Sequence, residues 1–307
     1  MKSSGAAVTD DEVFEANREL LFAVAYRMLG TVADAEDVVQ DAWLRWSAAP
    51  RSGVTAPAPR AYLARTVTRI ALNRMRSARA RREAYIGPWL PEPLLTTTAP
   101  DSADRAELAE SVSLAMLVVL ESLTPEERAV FVLHEVFGFS HAEIAGAIGR
   151  TDASTRQLMH RAREHAQARR PRFDVDAAQQ REVTQRFLAA AMGGDLDELM
   201  TVLAPDVTLI TDGGGKVKAA LRPITGAAKV ARGLTAAAGR RYMEIGAPGL
   251  TIEAAEINGG PGMLVTAGGE PTVAVVTVVA DGRITAIYVV ANPDKLRGLT
   301  AGHNLSP

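Results

Sequence analysis

Three groups of side chains in this sequence carry charge or hydrogen-bonding capacity at regular spacing. Asp34, Asp37 and Asp41 fall at i, i+3 and i+7, beside Glu36 and Gln40, so a helix there would line its outer face with carboxylates and one amide. Such a face suits docking on a basic helical surface, with steering that weakens in salt. Eight arginines follow (60, 65, 69, 74, 76, 79, 81 and 82), with Tyr62 among them and no acidic residue between 60 and 82. That density fits neutralisation of a phosphate backbone plus stacking on an unpaired base. Further on, Ser154, Arg156, Gln157, His160 and Arg161 share one side of a helical pattern. These residue types reach base edges and phosphates when a helix lies in a major groove.

Catalytic chemistry has thinner support. Asp212, at the end of a strand-like run, could act as a base, but His303 is the only histidine of the C-terminal half and leaves no acid/base pair. No H-E-x-x-H, nucleophile elbow, Walker loop or Rossmann fingerprint is present, and Asp212-Gly-Gly-Gly-Lys216 lacks the spacing of a phosphate loop, so its glycines are taken as a turn. Cysteine is absent, which excludes disulfides, thiolate catalysis and cysteine zinc sites. No enzyme activity, cofactor or metal is expected.

The elements that must position these groups are marked by local signals. Thr124, Pro125 and Glu127 form a capping box with proline at the first helical position. Gly138 ends that helix, Ser140 with Glu143 opens a second one, and Gly149 closes it. A third helix starts at Thr151 or Asp152 and runs through Arg163, with Thr155, Met159 and Ala162 facing its neighbours. Two short helices and a polar third one make a helix-turn-helix.

Upstream, Val13, Phe14, Leu20, Leu21, Val24, Ala25, Met28 and Leu29 give a packed helix ending at Gly30. Thr31 with Asp34 opens the next, whose inward residues are Val38, Val39, Ala42 and Trp46. A loop over 50–59 precedes the arginine helix, which buries Leu63, Val67, Ile70 and Ala71. From Gly87 to Asp104 prolines forbid helix, yet Trp89, Leu90, Leu94 and Leu95 are apolar side chains that a free tether has no use for. Helix resumes near Arg105.

The formal net charge of −2 conceals blocks: residues 1–50 hold four basic and nine acidic side chains, ahead of the arginine run. Two different partners follow from that asymmetry, one basic or polar and one polyanionic. With 47% hydrophobic residues and no signal-peptide core or membrane-length apolar run, a cytoplasmic protein without membrane association is expected.

The segments Asp34 to Trp46 and Leu123 to Arg163 resemble the second and fourth domains of bacterial RNA polymerase sigma factors of the extracytoplasmic-function class. The resemblance implies that Asp34, Asp37, Gln40 and Asp41 meet the core polymerase. It implies that Arg60, Tyr62, Arg65, Arg69, Arg74 and Arg76 hold the melted minus-ten region. Ser154, Arg156, Gln157, His160 and Arg161 would then read the minus-thirty-five element. Arg150 and Thr155 stand where this pattern usually carries aliphatic residues.

Beyond Arg172 the chain changes in kind. Helices over about 176–192 and 195–203, a strand at Val207–Thr211, a helix near Gly226–Ala238 and then consecutive strands argue an α+β cone over a curved antiparallel sheet. Its motifs, together with Trp89-Leu-Pro-Glu-Pro93, resemble the sigma subgroup that carries a SnoaL-like C-terminal domain. The expected fold is therefore multidomain: two all-α sigma domains, the second a helix-turn-helix, then this α+β domain. The boundaries expected are 11–86 for sigma domain 2, 87–112 for a proline-containing linker, 113–172 for sigma domain 4 and 173–307 for the SnoaL-like domain.

Function follows as promoter-specific initiation with core RNA polymerase and promoter DNA as partners, modulated in cis by the C-terminal domain, with no separate anti-sigma factor. Expected regulatory contacts set Trp89, Leu90 and Pro91 against Asp212, Gly213, Gly214, Gly215 and Lys216, or against Asn292, Pro293, Asp294 and Lys295, leaving Lys216 and Lys295 free to meet acidic residues of the sigma part. An unidentified small molecule in the C-terminal domain stays open. The alternatives are a ligand-responsive helix-turn-helix repressor and a SnoaL-type cyclase or isomerase fused to a DNA-binding module.

Overall fold

A computed structural model describes residues 9–48, 58–96, 113–168, 177–245 and 250–300. The helix expected to resume near Arg105 and the histidine at 303 lie outside them. The chain divides into two compact units, one built around its N-terminal helices and the helix-turn-helix, the other from the linker and the C-terminal elements.

In the first unit α1 (Asp10–Glu15), α2 (Arg18–Leu29), α3 (Val32–Ala48) and α4 (Pro59–Glu83) pack around a shared core. Leu21, Val24, Ala25, Tyr26 and Met28 of α2 are buried, as are Ala35, Val38 and Ala42 of α3 and Leu63, Val67, Ile70 and Ala71 of α4. Each such leucine or valine contributes about 1.5–3 kcal/mol over an exposed one. Gly30 ends α2 in the left-handed region at φ 77°, where a side chain would be strained. Trp46 is half-buried, and its indole N–H donates to the carbonyl of Asp10 at 2.9 Å.

Beyond α5 (Leu114–Glu121), α6 (Pro125–Phe131) starts on the Thr124/Glu127 capping box and runs into a π-helical turn at Val132–Val136. α7 (His141–Ile148) starts on the Ser140/Glu143 box and ends at Gly149. α8 (Asp152–Gln167), capped by Thr151, extends one turn beyond the expected Arg163. Thr155 is fully buried, and its hydroxyl is satisfied by donating to the Thr151 carbonyl at 3.0 Å.

The second unit holds α9 (Ala177–Gly193), α10 (Leu196–Val202), α11 (Ala227–Ile245) and six strands: β1 (Leu203–Asp212), β2 (Ile224–Thr225), β3 (Leu250–Ile257), β4 (Gly260–Ala267), β5 (Glu270–Ala280) and β6 (Arg283–Val290). A single turn, α12 (Pro293–Leu296), follows. The strand order is β2-β1-β6-β5-β4-β3. The sheet is mixed: β1 and β6 run parallel, correcting the all-antiparallel expectation in that pair. The reason is topological, since β1 is separated from the β3–β6 meander by α11 and joins it beside the last strand. Phe187, Leu199, Val230, Val275, Ile284 and Ile287 fill the core between helices and sheet.

Candidate functional site

On α3 the carboxylates of Asp34, Asp37 and Asp41 converge on one cation from α4. Arg74 donates through Nη1 to Asp37 Oδ2 at 2.9 Å and through Nη2 to Asp41 Oδ2 at 3.1 Å, with Asp34 Oδ1 3.6 Å from Nη1. Partial burial works against its charge, but the bonds to Asp37 and Asp41 outweigh it and raise the guanidinium pKa. Gln40 and Glu36 are exposed beside this cluster.

The arginines of α4 divide by partner. Arg60, Arg65 and Arg76 are exposed; Arg60 lies over the Phe139 ring and Arg65 over Tyr62, each with its guanidinium carbon 5.4 Å from the ring centroid. Arg76 approaches Glu126 at 3.8 Å. Arg69 is committed to α7: Nε donates to the Ala147 carbonyl at 3.1 Å and Nη2 to the Gly146 carbonyl at 2.9 Å. A cation capping the last carbonyls of a helix is favourable by dipole and by hydrogen bond. The side chains of Arg79, Arg81 and Arg82 lie outside the described set.

Two buried arginines join α2 to α6. Arg128 donates from Nε to the Arg27 carbonyl at 2.8 Å and pairs with Glu121. The Arg27 guanidinium lies 4.9 Å from the Phe137 ring centroid, and burial brings its pKa down to about 10, which leaves it charged near neutrality.

α8 presents Arg156, Gln157, His160 and Arg161 to solvent, with Ser154 half-buried in its first turn. Arg156 pairs with Asp152 one turn back at 2.7 Å, and Arg150 pairs with Glu126 at 2.9 Å. The arrangement suits a helix whose exposed face meets a polyanion while Leu158, Met159 and Ala162 hold it to α6 and α7.

In the second unit residues 85–96 form a strap. Asp212 is fully buried, and both its oxygens are used: Oδ1 accepts from the Tyr85 hydroxyl at 2.5 Å and the Gly214 N–H at 3.1 Å, Oδ2 from the Leu90 N–H at 2.8 Å and Lys295 Nζ at 2.7 Å. Lys295 also donates to the Leu90 carbonyl, and its ammonium lies 4.0 Å from the Trp89 ring centroid and 5.0 Å from that of Tyr85. Desolvation first, then the bond to Asp212, holds the Tyr85 phenol well above its ordinary pKa, so it stays a donor. Asn292 donates to the Tyr85 hydroxyl at 2.8 Å and caps α12 through its carboxamide oxygen, just before Pro293.

Farther along, Pro91, Pro93 and Leu94 are buried. Leu94 and Asn258 exchange hydrogen bonds, and Leu95 bridges Ile257 as an antiparallel partner. The Gly213–Lys216 run is a turn, with the N–H groups of Lys216 and Val217 both donating to the Gly213 carbonyl. A methyl at Gly213 would overlap the Val217 carbonyl, and one at Gly214 (φ 60°) the Asn292 carboxamide; Gly215 completes the turn. Lys216 pairs with Asp294, whose pKa that bond lowers. Lys216 and Lys295 therefore do not stand free, contrary to expectation: each is spent on a carboxylate of its own unit.

Comparison with known proteins adds to this geometry. Residues 13–81 match the family model of sigma-70 region 2, and residues 113–165 match that of sigma-70 region 4. The chain is 42% identical over 294 residues to the ECF RNA polymerase sigma factor SigJ of Mycobacterium tuberculosis (strain ATCC 25618 / H37Rv), covering 93% of this chain and 92% of that protein. The chain belongs to the extracytoplasmic-function sigma factors. This sigma factor is also 34% identical over 290 residues to the probable ECF RNA polymerase sigma factor SigI of the same species (strain CDC 1551 / Oshkosh), covering 94% of this chain and 95% of the relative. The crystal structure of Mycobacterium tuberculosis SigJ matches it with a TM-score of 0.73 at 37% identity, over 93% of this chain and 98% of that one.

Two residues of this sigma factor escaped sequence reasoning. Tyr85 completes the clasp from just before the linker, and Asn258 holds Leu94 from the β3–β4 turn at φ 51°. A phenol among arginines gives no periodic signal. An asparagine before glycine between strands signals a turn, and its bond to the linker is tertiary. Among the described residues no helix is long and apolar enough to cross a membrane, and no cluster of three or more His, Cys, Asp or Glu side chains could hold a metal.

Proposed function

We propose that this sigma factor docks on core RNA polymerase through the α3 face of Asp37, Gln40 and Asp41, and opens promoters through α4 and α8. Arg60, Tyr62, Arg65 and Arg76 meet the melted minus-ten strand, with Arg69 joining them once it leaves α7. Ser154, Arg156, Gln157, His160 and Arg161 read the upstream element. Sigma domain 2 spans 11–86, the linker 87–112, sigma domain 4 spans 113–172, and a SnoaL-like domain spans 173–307. That last domain regulates in cis in place of a separate anti-sigma factor and has no catalytic role.

The observation that carries the regulatory part is the clasp of Asp212 and Lys295 on Tyr85, Trp89 and Leu90, which ties the segment leaving α4 to the C-terminal sheet. Asp212 spends its lone pairs there, which argues against service as a base. A tethered regulator acts at an effective concentration of about the millimolar range, so a weak interaction suffices to bias the sigma domains. A ligand that favours one arrangement shifts output by no more than its differential affinity.

The test is promoter-dependent runoff transcription with purified core polymerase, comparing full-length protein, a fragment ending near Arg172, and full-length protein carrying Lys295→Met. Promoter-specific transcripts that change in yield when the clasp is broken are expected. No promoter-dependent transcript from any form would sink initiation, and identical yields from all three would sink regulation in cis.

A further inference from the structure

The three carboxylates of α3 are not equivalent. Asp34 is used on both sides, by Arg74 at Oδ1 and by the Thr31 hydroxyl, which donates to Oδ2 at 2.8 Å. Asp37 and Asp41 each give one oxygen to Arg74 and keep Oδ1 without a partner among the described residues, on side chains 60% and 44% exposed. Arg74 itself is 28% exposed, less than either aspartate it joins.

We propose that Arg74 is a positioning residue for polymerase docking: its guanidinium fixes Asp37 and Asp41 in one presentation, and Asp34 braces it without touching the partner. This rests on the reading of α3 as the docking face. It separates Arg74 from the other arginines of α4, with which charge density and the family resemblance had grouped it as a DNA contact. Two like charges one helical turn apart repel, and without a shared counter-ion each would swing among rotamers. The planar fork of arginine reaches two carboxylates at once, which a lysine does as a single point charge. A partner then meets ordered acceptors and spends less entropy on fixing them.

The experiment measures association and dissociation of full-length protein on core polymerase for Arg74→Ala, Arg74→Lys, Asp34→Asn and Asp37→Arg. Arg74→Ala should dissociate about fivefold faster and associate no more slowly at low salt, because the face has become more negative. Arg74→Lys should recover part of the loss, Asp34→Asn should show a smaller loss of the same kind, and Arg74→Ala combined with Asp37→Asn should lose less than the sum. If Arg74→Ala fails to fold, Arg74→Lys and Asp34→Asn carry the same test.

Dissociation unchanged in Arg74→Ala, or tighter binding, overturns the proposal. So does a fall of about one in the salt slope of holoenzyme binding to forked minus-ten DNA, which would make Arg74 a phosphate contact. Asp37→Arg separates the two readings. If it binds core as well as wild type, the docking face is wrong; if it fails while Arg74→Ala is normal, only the positioning role is.

Discussion

Lys295 Nζ lies 2.7 Å from the carboxylate of Asp212, and both side chains are out of water. A bare buried ion pair is a poor source of stability, because desolvating two charges offsets most of their attraction. Here the surrounding donors and rings change the balance: Tyr85, Leu90 and Gly214 complete the carboxylate, and Trp89 and Tyr85 cover the ammonium. Three of these four residues, Tyr85, Trp89 and Leu90, come from the chain leaving α4, so the pair is fully satisfied only while the strap is seated.

Removing one charge should therefore cost more than removing both. Lys295→Met leaves Asp212 buried without its cation, a loss of about 3–5 kcal/mol. Adding Asp212→Asn to it should restore part of that stability. Denaturant unfolding of the wild type and the two variants measures the order, and hydrogen exchange at the Leu90 amide reports whether the strap has lifted.

Gly214→Ala should loosen the same strap by geometry alone. A methyl at φ 60° next to the Asn292 carboxamide costs about 1–2 kcal/mol of backbone strain and displaces the cap that also holds Tyr85. A lower unfolding midpoint with an unchanged denaturant slope is the expected result.

Asp37→Arg and Asp41→Arg should weaken binding to core polymerase and flatten its salt dependence, with unfolding free energies changed by no more than about 0.5 kcal/mol, since both side chains are substantially exposed. Parallel binding and melting curves separate a lost contact from a lost fold.

Arg156→Ala should cost about 1–3 kcal/mol on the cognate promoter and relax one upstream position. Equal losses on specific and random duplex would mark a phosphate contact instead. Asp152→Ala, which frees Arg156 from its partner at 2.7 Å, should blur the same position more mildly.

The Ser140/Glu143 box sets an acid limit for α7. Bonds from the Ser140 hydroxyl and N–H hold the Glu143 carboxyl below the ordinary glutamate pKa, so folding favours the ionised form. Its contribution is complete above the unfolded value of about 4.3 and disappears as pH falls through the lower folded one. Glu143→Gln should remove that part of the acid sensitivity, as seen by melting between about pH 3 and 5.

Much of this was legible because capping is local. Thr124/Glu127 and Ser140/Glu143 sit three residues apart and act within one turn, so the helix starts follow from the chain itself. The Thr9/Glu12 box at the start of α1 is equally local. The π-turn at Val132–Val136 has no such marker, and the parallel β1–β6 pair depends on which strand edge a distant segment reaches. In the site, spacing showed that Asp34, Asp37 and Asp41 share a face but could not show that Arg74 belongs to them, because one arginine in a run of eight looks like another. The apolar linker announced a need for a partner surface; Asp212 and Lys295, 83 residues apart, became a pair only in the fold.

The parallel pairing of the first long strand with the last also sets a schedule on the ribosome. β1 can form its long ladder only after β6 has been made, and Asp212 waits a further few residues for Lys295. Both sigma regions and the strap leave the exit tunnel well before that, at about 5–20 residues per second. Each newborn molecule thus passes about 10–40 seconds with its strap untied, and the clasp can close only once Lys295 has emerged.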